Sequence, residues 1–375
     1  MYQKNSSAYC CGIVIATWLH VLVVYGEQNE TKVQDSFLNR RYNEVSFLAT
    51  HNGQSHLESP VQNQTLSLTE QFERGVRATK IHLWHDTDQQ GNVVPFVCHG
   101  IDKAILDGSY FEKIIEKIPR IFQSWARGVL KEFEPVNSLF QDACKAAYGQ
   151  GQAKGVIQLK HCILDPSRKP LLATLHEIKR FLDTHPQEIF TLILEDHTND
   201  LDQIAHDFKM SGLDSMVHAQ DSDKHWPVIN EMINAQKRLV VLLHGDEKLA
   251  YEQHPWMHYI WKYAWDTEWA FPDASTLRNA QKDIMPKRGT ESYDARHQGL
   301  KNKLFIVHHF VTPMAGGSKD GAKRVNKKAF LLSRLERLTK IAGCAPNIVQ
   351  IDFFDGQDRD ALEVINGLNS RGTNL

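Results

Sequence analysis

From Arg41 onward, short apolar runs alternate with segments of helical periodicity, and this alternation limits the chain to a small set of folds. Apolar, β-branched runs bounded by polar or turn residues are typical of buried strands. They lie at residues 45–50, 76–83, 93–98, 155–160, 189–195, 238–244, 303–310 and 348–353. Strands that alternate with helices indicate parallel βα units, so the sequence predicts an α/β chain folded as an irregular TIM-type (β/α) barrel.

Two helix–strand units are the clearest. The first is predicted to begin at Asp165-Pro166, with proline at the first helical position, and its strand runs into Glu195. The second ends its helix at Gly343 and its strand at Asp352. Because barrel active sites lie at the carboxyl ends of the strands, both carboxylates are expected at the site.

Two histidines also stand where an apolar run ends. His51 follows Ser46-Phe-Leu-Ala-Thr, and His99 follows Phe96-Val-Cys. Imidazole titrates near neutral pH, so two histidines at one pocket are suited to act as a general base and a general acid.

Composition favours one large domain with no nucleic-acid partner. With 375 residues and 42% hydrophobic content, the chain can fill a single core, predicted for residues 41–375. A net charge of −2 and the lack of a polybasic run leave no electrostatic basis for binding nucleic acid or an anionic bilayer. Residues 102–154 have amphipathic character and are too long for an ordinary connection, which predicts a helical insertion in the barrel. The protein is expected to be a monomer.

The amino terminus predicts export. Residues 1–26 have the pattern of a signal peptide, and residues 27–40 would link it to the barrel. The alternative is a membrane anchor formed by residues 8–25. The protein is therefore expected to be secreted or extracytoplasmic, or else membrane-anchored.

Export bears on the cysteines and on two glycosylation sequons. Four cysteines follow the predicted signal, namely Cys98, Cys144, Cys162 and Cys344. They have no metal-type spacing, and both disulfide formation and buried free thiols remain open. Asn29-Glu-Thr31 and Asn63-Gln-Thr65 match the N-glycosylation sequon.

The motifs together resemble those of the phosphatidylinositol-specific phospholipase C X-domain superfamily, especially its single-domain members. The resemblance covers most of residues 41–369 and rests on Thr50-His51-Asn52, Ser67–Gln71, Gly75-Val-Arg77, Cys98-His99-Gly100, 175–182, 185–189, 194–196 and 346–353. It implies an irregular TIM-type barrel. It also implies phosphodiester cleavage between diacylglycerol and inositol phosphate, in which the inositol 2-hydroxyl attacks phosphorus and a cyclic phosphate forms.

By this resemblance, His51 would be the base that deprotonates the hydroxyl and His99 the acid that protonates the leaving glycerol oxygen. Asp352 falls where a metal-free relative places the carboxylate that orients the base. Asn52 and Glu195 fall where calcium-dependent relatives carry ligands, and both are also candidate substrate contacts.

The second strand departs from both patterns of the family, because Lys80 and His82 occupy its two expected metal-ligand or Asp–x–Arg positions. Side chains two residues apart on a strand point to the same side, and a lysine there would repel calcium. We therefore expect metal-free catalysis in which Lys80 supplies positive charge and His82 assists. One alternative is a calcium ion held by Asn52 and Glu195. Another is a purely structural role for Lys80, in which it forms an ordinary ion pair with Glu195 or another carboxylate.

Two further residues are candidate headgroup contacts. Lys160 follows a predicted strand beside His161, and Trp265 stands at the centre of the aromatic cluster Trp261–Trp269. Aromatic rings there could stack on inositol or enter a lipid interface, or simply pack around a barrel loop.

Three functions remain open at this point. The chain is expected to cleave an inositol phospholipid at a membrane surface. It could instead cleave a glycerophosphodiester or sphingolipid, or be a catalytically silent lipid-binding barrel. His51 and His99 favour the first, and Lys80 and His82 argue against the acidic metal cluster that the second would need.

Overall fold

The computed structural model describes residues 37–59, 61–100, 162, 165–245, 254–278, 286–298, 301–312, 317–355 and 359–370. The predicted signal peptide or anchor, the insertion at 102–154, the strand at 155–160 and Lys160 lie outside these ranges, as does most of the linker. Within the described ranges, no helix combines the length and apolarity needed to cross a membrane.

Ten strands in the described ranges form one sheet. They are β1 Phe47–Thr50, β2 Ala78–Thr87, β3 Val93–Val97, β4 Lys169–Pro170, β5 Phe190–Asp196, β6 Leu239–His244, β7 Met257–Tyr259, β8 Ala264–Asp266, β9 Leu304–His309 and β10 Ile348–Ile351. Eight of them run parallel in the order β7-β6-β5-β2-β1-β10-β9-β8. Outside this series, β3 pairs antiparallel with the second half of β2, and β4 pairs antiparallel with β3. The predicted irregular TIM-type α/β barrel is confirmed.

Ten α-helices accompany the strands in the part of the chain that the structure describes. They are α1 Leu68–Glu73, α2 Leu171–Thr184, α3 Leu201–Ser211, α4 Ile229–Asn234, α5 Ile260–Tyr263, α6 Ala274–Arg278, α7 Thr290–His297, α8 Lys319–Val325, α9 Lys328–Ala342 and α10 Asp360–Ser370. α1 begins with a capping box in which Ser67 and Glu70 satisfy each other's backbone amides. α9 ends at Gly343, whose φ of 66° is the left-handed conformation that glycine adopts freely, as predicted.

Alternation along the strands separates the barrel interior from the helix-facing layer. In β5, Leu192 and Leu194 pack against the helices, whereas Ile193 belongs to a second apolar cluster with Leu242 and Ile306. Successive strand side chains point to opposite faces, so this second cluster fills the inside of the barrel. Below it, Tyr42 and Trp226 stack with ring centroids 4.6 Å apart and close the amino-terminal end.

Two details differ from the sequence prediction. The helix expected to begin at Asp165-Pro166 begins at Leu171, with Pro170 as its N-cap residue, because Asp165 instead accepts hydrogen bonds from the backbone of His99 and Ser167. The short strands β7 and β8 were missed, since runs of three residues carry almost no periodic signal.

Candidate active site

The inward-facing residues change from apolar to polar along each central strand. On β2 the order is Ala78, Lys80 and His82; on β5, Ile193 is followed by Glu195. The same parity places other polar side chains around the carboxyl end of the barrel, namely His51, His244, Asp266, His308, Gln350 and Asp352. The apolar interior of the barrel is therefore capped, at the carboxyl ends of the strands, by a ring of polar and mostly titratable side chains.

His51 and Asp352 follow the neighbouring strands β1 and β10 and form a pair. The Nδ1 atom of His51 lies 3.0 Å from Oδ1 of Asp352, and the imidazole stacks on Phe310 with ring centroids 4.0 Å apart. The residues that follow His51 and Asp352, namely Asn52 and Phe353, have positive φ angles of 47° and 51° respectively. Such backbone strain outside glycine is concentrated at functional sites.

Asn63 links this pair to Asn52. Its Nδ2 donates to Oδ2 of Asp352 at 3.0 Å, and its Oδ1 accepts from Nδ2 of Asn52 at 3.0 Å. Asn63 is only 2% exposed, so its side chain is fully committed to this network. Although Asn63 lies in a sequon, a glycan on its side chain would be incompatible with this folded arrangement, because an acceptor asparagine must be accessible.

His99 lies just after β3 and faces the same network. Its backbone amide donates to Asp165 at 2.7 Å, and its Nδ1 lies 2.7 Å from the carbonyl oxygen of Val61. An Nδ1–H that donates to this carbonyl leaves Nε2 directed away from it. Nδ2 of Asn52 lies 3.4 Å from Nδ1 of His99; with the proton on Nδ1 both atoms are donors, so this is a close contact and not a hydrogen bond, and it brings the network that begins at His51 up to His99.

A disulfide fixes the segment that carries His99. Cys98 and Cys162 are bonded, with Cα atoms 5.4 Å apart, while Cys344 is a free thiol. Both bonded cysteines are buried against Phe96, which resolves the open question of their state in favour of a covalent cross-link.

Burial is the main cause of the pKa shifts of His51, His99 and Asp352. It lowers the pKa of His51 well below its ordinary value, with the positive neighbours Lys80, His82, His99 and His308 acting in the same direction. It also lowers the pKa of His99, although the Val61 carbonyl and Asp165 oppose this. Burial raises the pKa of Asp352 well above its usual value, while the hydrogen bond from Asn63 and the charge of Lys80 favour the ionised form.

Glu195 lies at the centre of a second group of polar side chains. Nζ of Lys80 forms a close ion pair with its Oε2, and Nε2 of His82 lies 3.6 Å from the same oxygen. Nε2 of His197 is 3.5 Å from Oε1, and Nδ1 of His244 is 3.6 Å from Oε2. Burial alone would raise the pKa of Glu195, but these neighbours hold it well below its ordinary value. The structural alternative for Lys80, an ion pair with Glu195, is thus present, and it holds the ammonium group at the barrel mouth.

The site does not fit calcium. Calcium takes six to eight oxygen ligands. Oδ1 of Asn52 is buried without a hydrogen-bond partner among the described residues and would be available as one ligand. Glu195, however, is already neutralised by Lys80, and His82 presents nitrogen where an oxygen would be needed.

Sequence reasoning missed a third group on the opposite side of the barrel. Asp266 is fully buried, accepts from the guanidinium of Arg288 and lies 2.9 Å from Nε2 of His308. The Arg288 guanidinium lies between the rings of Trp261 and Trp269, 4.4 and 4.1 Å from their centroids. The sequence does not single out His308, because its partner Asp266 belongs to a three-residue strand that the pattern does not reveal.

The expectation that Trp265 contacts substrate is wrong. Its side chain is 3% exposed and stacks on Phe305 with ring centroids 3.8 Å apart, in the apolar layer beneath α9. Trp265 has the parity that faces the helices, whereas Trp261 and Trp269 flank Arg288 near the interior. Lys160, the other predicted contact of this kind, lies outside the described residues.

Comparison with known proteins identifies the family. The family model described as PI-PLC X 1 matches residues 37–124 and 144–369. A PI-PLC X domain-containing protein of Arabidopsis thaliana is 25% identical over 210 residues, which cover 54% of this chain and 45% of that protein. PI-PLC X domain-containing protein 1 of Arthroderma benhamiae is 24% identical over 229 residues, 57% of this chain and 70% of that protein.

Solved structures agree on the fold. A phosphatidylinositol-specific phospholipase C from Staphylococcus aureus aligns with a TM-score of 0.51 at 12% identity, covering 89% of this chain and 98% of that one. At this identity the likeness establishes the barrel architecture alone. The chain also spans about half the length of the Arabidopsis relative, 45% of it.

Proposed function

The chain belongs to the PI-PLC X domain family, and we propose that it is a phosphodiesterase of phospholipase C type that cleaves an inositol phospholipid by two-histidine acid–base catalysis without a metal ion. A PLC-like phosphodiesterase barrel follows from the family and the fold. The substrate and the mechanism are the proposal, and the observation that carries them is the chain of contacts from His51 through Asp352, Asn63 and Asn52 to His99.

His51 is assigned the base. Oδ1 of Asp352 accepts a hydrogen bond from Nδ1–H of His51, which leaves Nε2 of His51 with the lone pair that takes the proton of the inositol 2-hydroxyl. The hydroxyl oxygen then attacks phosphorus. Because burial keeps His51 unprotonated at neutral pH, the base is in its reactive form.

His99 is assigned the acid. The Val61 carbonyl holds Nδ1–H, so the proton on Nε2 of imidazolium passes to the glycerol oxygen as its bond to phosphorus breaks. Diacylglycerol leaves and a cyclic inositol phosphate remains. Lys80, positioned by Glu195, supplies the positive charge that offsets the charge gathering on the phosphoryl oxygens.

Asn52 and Glu195 are assigned headgroup contacts. Oδ1 of Asn52, which has no hydrogen-bond partner among the described residues, can accept a hydrogen bond from an inositol hydroxyl. Glu195 forms an ion pair with Lys80 and therefore lies next to the proposed phosphate position. His82 adds positive charge only when protonated, and burial lowers its pKa well below the ordinary value, so its contribution is to orient rather than to charge the site.

The test is turnover of phosphatidylinositol vesicles by residues 27–375 in excess chelator. We expect activity in the unchanged protein and losses of about 10²–10⁴ in His51→Ala and His99→Ala. His206→Gln, which removes an imidazole from the exposed face of α3, is the matched control. No turnover with or without Ca²⁺ would redirect the assignment to another diester or to a silent lipid-binding barrel. Activity that requires Ca²⁺ would overturn the metal-free mechanism.

A further inference from the structure

We propose that His82, Glu195 and His197 form a binding site for a borderline divalent cation of the Zn²⁺ type at the rim of the barrel mouth. One ligand atom from each of these residues lies within 4.8 Å of the other two. This goes beyond the proposed function, in which His197 has no part and no metal is used.

The distances suit a small tetrahedral ion. Zn²⁺ binds imidazole nitrogen and carboxylate oxygen at about 2.0–2.2 Å, which places neighbouring ligand atoms about 3.3–3.6 Å apart. Nε2 of His82 lies 3.6 Å from Oε2 of Glu195, and Nε2 of His197 lies 3.5 Å from Oε1 of the same carboxylate. Because one ligand atom from each residue lies within 4.8 Å of the other two, rotation of these side chains would bring all three ligands to one ion.

Two features of the site favour a ligand in this position. The Nε2 atom of His82 is buried and has no hydrogen-bond partner in the part of the chain that the structure describes. A buried polar atom left unsatisfied is costly, and a metal bond would satisfy it. His197 is exposed and provides the route of entry, while its ring is held by stacking on Trp84 with centroids 4.0 Å apart.

The donor set selects the class of cation. Two imidazoles and one carboxylate are the ligands of open zinc sites, in which a fourth position is left for water or another ligand. Ca²⁺ prefers oxygen ligands and would gain little here.

Lys80 competes with the ion. Its ammonium group forms an ion pair with Glu195 and must give up that contact when a cation binds. The site should therefore bind more tightly once this charge is removed. It follows that Lys80→Met should raise metal affinity while the loss of any ligand lowers it, two opposite effects that a nonspecific histidine-rich surface would not produce.

The experiment is a titration of the chelator-stripped full chain with Co²⁺, followed by the visible absorption of four-coordinate cobalt, and then displacement by Zn²⁺. We expect one Co²⁺ per chain, displaced by Zn²⁺ but not by Ca²⁺. His197→Gln and Glu195→Gln should weaken binding at least about 10–100-fold, the range seen for removing even an indirect metal contact. Lys80→Met should strengthen it, and His206→Gln should leave it unchanged.

Equal affinity in His197→Gln and His206→Gln would overturn the site, as would displacement by Ca²⁺ as readily as by Zn²⁺. Because the readout is absorption rather than turnover, failure here leaves the two-histidine mechanism standing. Conversely, an inactive protein that binds cobalt as described would sink the proposed function and retain the metal site.

Discussion

Asn63 holds the oxygen of Asp352 that faces away from His51: its amide nitrogen lies 3.0 Å from Oδ2, while Oδ1 is 3.0 Å from the imidazole. The asparagine comes from the loop before α1 and the aspartate from the end of β10, 289 residues later. This contact is one of two opposing influences on the carboxyl group, because burial raises its pKa and the amide lowers it.

Replacing Asn63 with alanine should raise the pKa of Asp352 further and leave its carboxylate less firmly oriented. We expect kcat on phosphatidylinositol to fall by about 10-fold or more, with little change in KM, since the contact serves the base rather than the substrate. The acid limb of the pH–rate profile should also move to higher pH. Asn43→Ala, which removes an amide bonded to the Lys301 carbonyl at the other end of the barrel, is the control. An unshifted limb would mean that Asn63 is only structural.

The burial of Asn63 gives a second prediction, about modification. When the full chain is expressed in a secretory host, peptide mapping by mass spectrometry should find Asn63 unglycosylated, because the folded chain hides its side chain. The Asn29 sequon shows whether the glycosylation machinery reached the chain at all. A glycan at Asn63 in active, folded protein would contradict the network described for this residue.

Sequence could predict the barrel and the strand-end positions of His51, Glu195 and Asp352, but not the loop residues that contact them. The strands that carry or precede these three residues are continuous apolar runs bounded by polar residues, and such runs indicate where a buried strand lies and where it ends. Asn63 and Asp165, in contrast, lie in loops and act through distant partners. No local pattern reports a contact with a residue 289 or 66 positions away.

The error at Trp265 has a similar cause. A one-residue change in register moves a strand side chain from the interior to the helix-facing layer. In a strand of three residues there is too little alternation to fix which side is which. The aromatic cluster was therefore found, but the wrong member of it was assigned to the site.

Activity should be highest below about pH 6.5, the ordinary pKa of histidine. The base His51 must be neutral, and its pKa is lowered well below that value, so activity should persist as pH falls through 6.5. The acid His99 must be protonated, and its pKa is lowered too, so activity should decline as pH rises past it. A kcat/KM profile from about pH 4 to 8 checks this. An optimum above neutral pH would contradict the assigned roles.

Lys80→Met should lower kcat by about 10²–10³, the cost typical of losing one preorganised group that stabilises transition-state charge. Lys80→Arg keeps a positive charge and should lose less. The control is Lys169→Met, which removes a lysine of β4 that forms an ion pair with Glu177 of α2. The assays belong in excess chelator, so that no ion can replace the missing ammonium. Full activity in Lys80→Met would show that the charge comes from elsewhere.

The disulfide next to His99 should matter for both stability and turnover. Cys98 and Cys162 are separated by 64 residues, and closing a loop of that size lowers the entropy of the unfolded chain by an amount worth about 4 kcal/mol. Measured values for native disulfides are about 2–5 kcal/mol, so the Cys98→Ser/Cys162→Ser double variant should lose roughly that much free energy of unfolding in denaturant titrations. Cys344→Ser, which removes the free thiol, is the matched control and should not respond in the same way. Because Cys98 directly precedes His99, kcat should fall as well, and reduction of the unchanged protein should reproduce both effects. If the double variant and the Cys344→Ser control unfold at the same denaturant concentration, the cross-link does not anchor the acid.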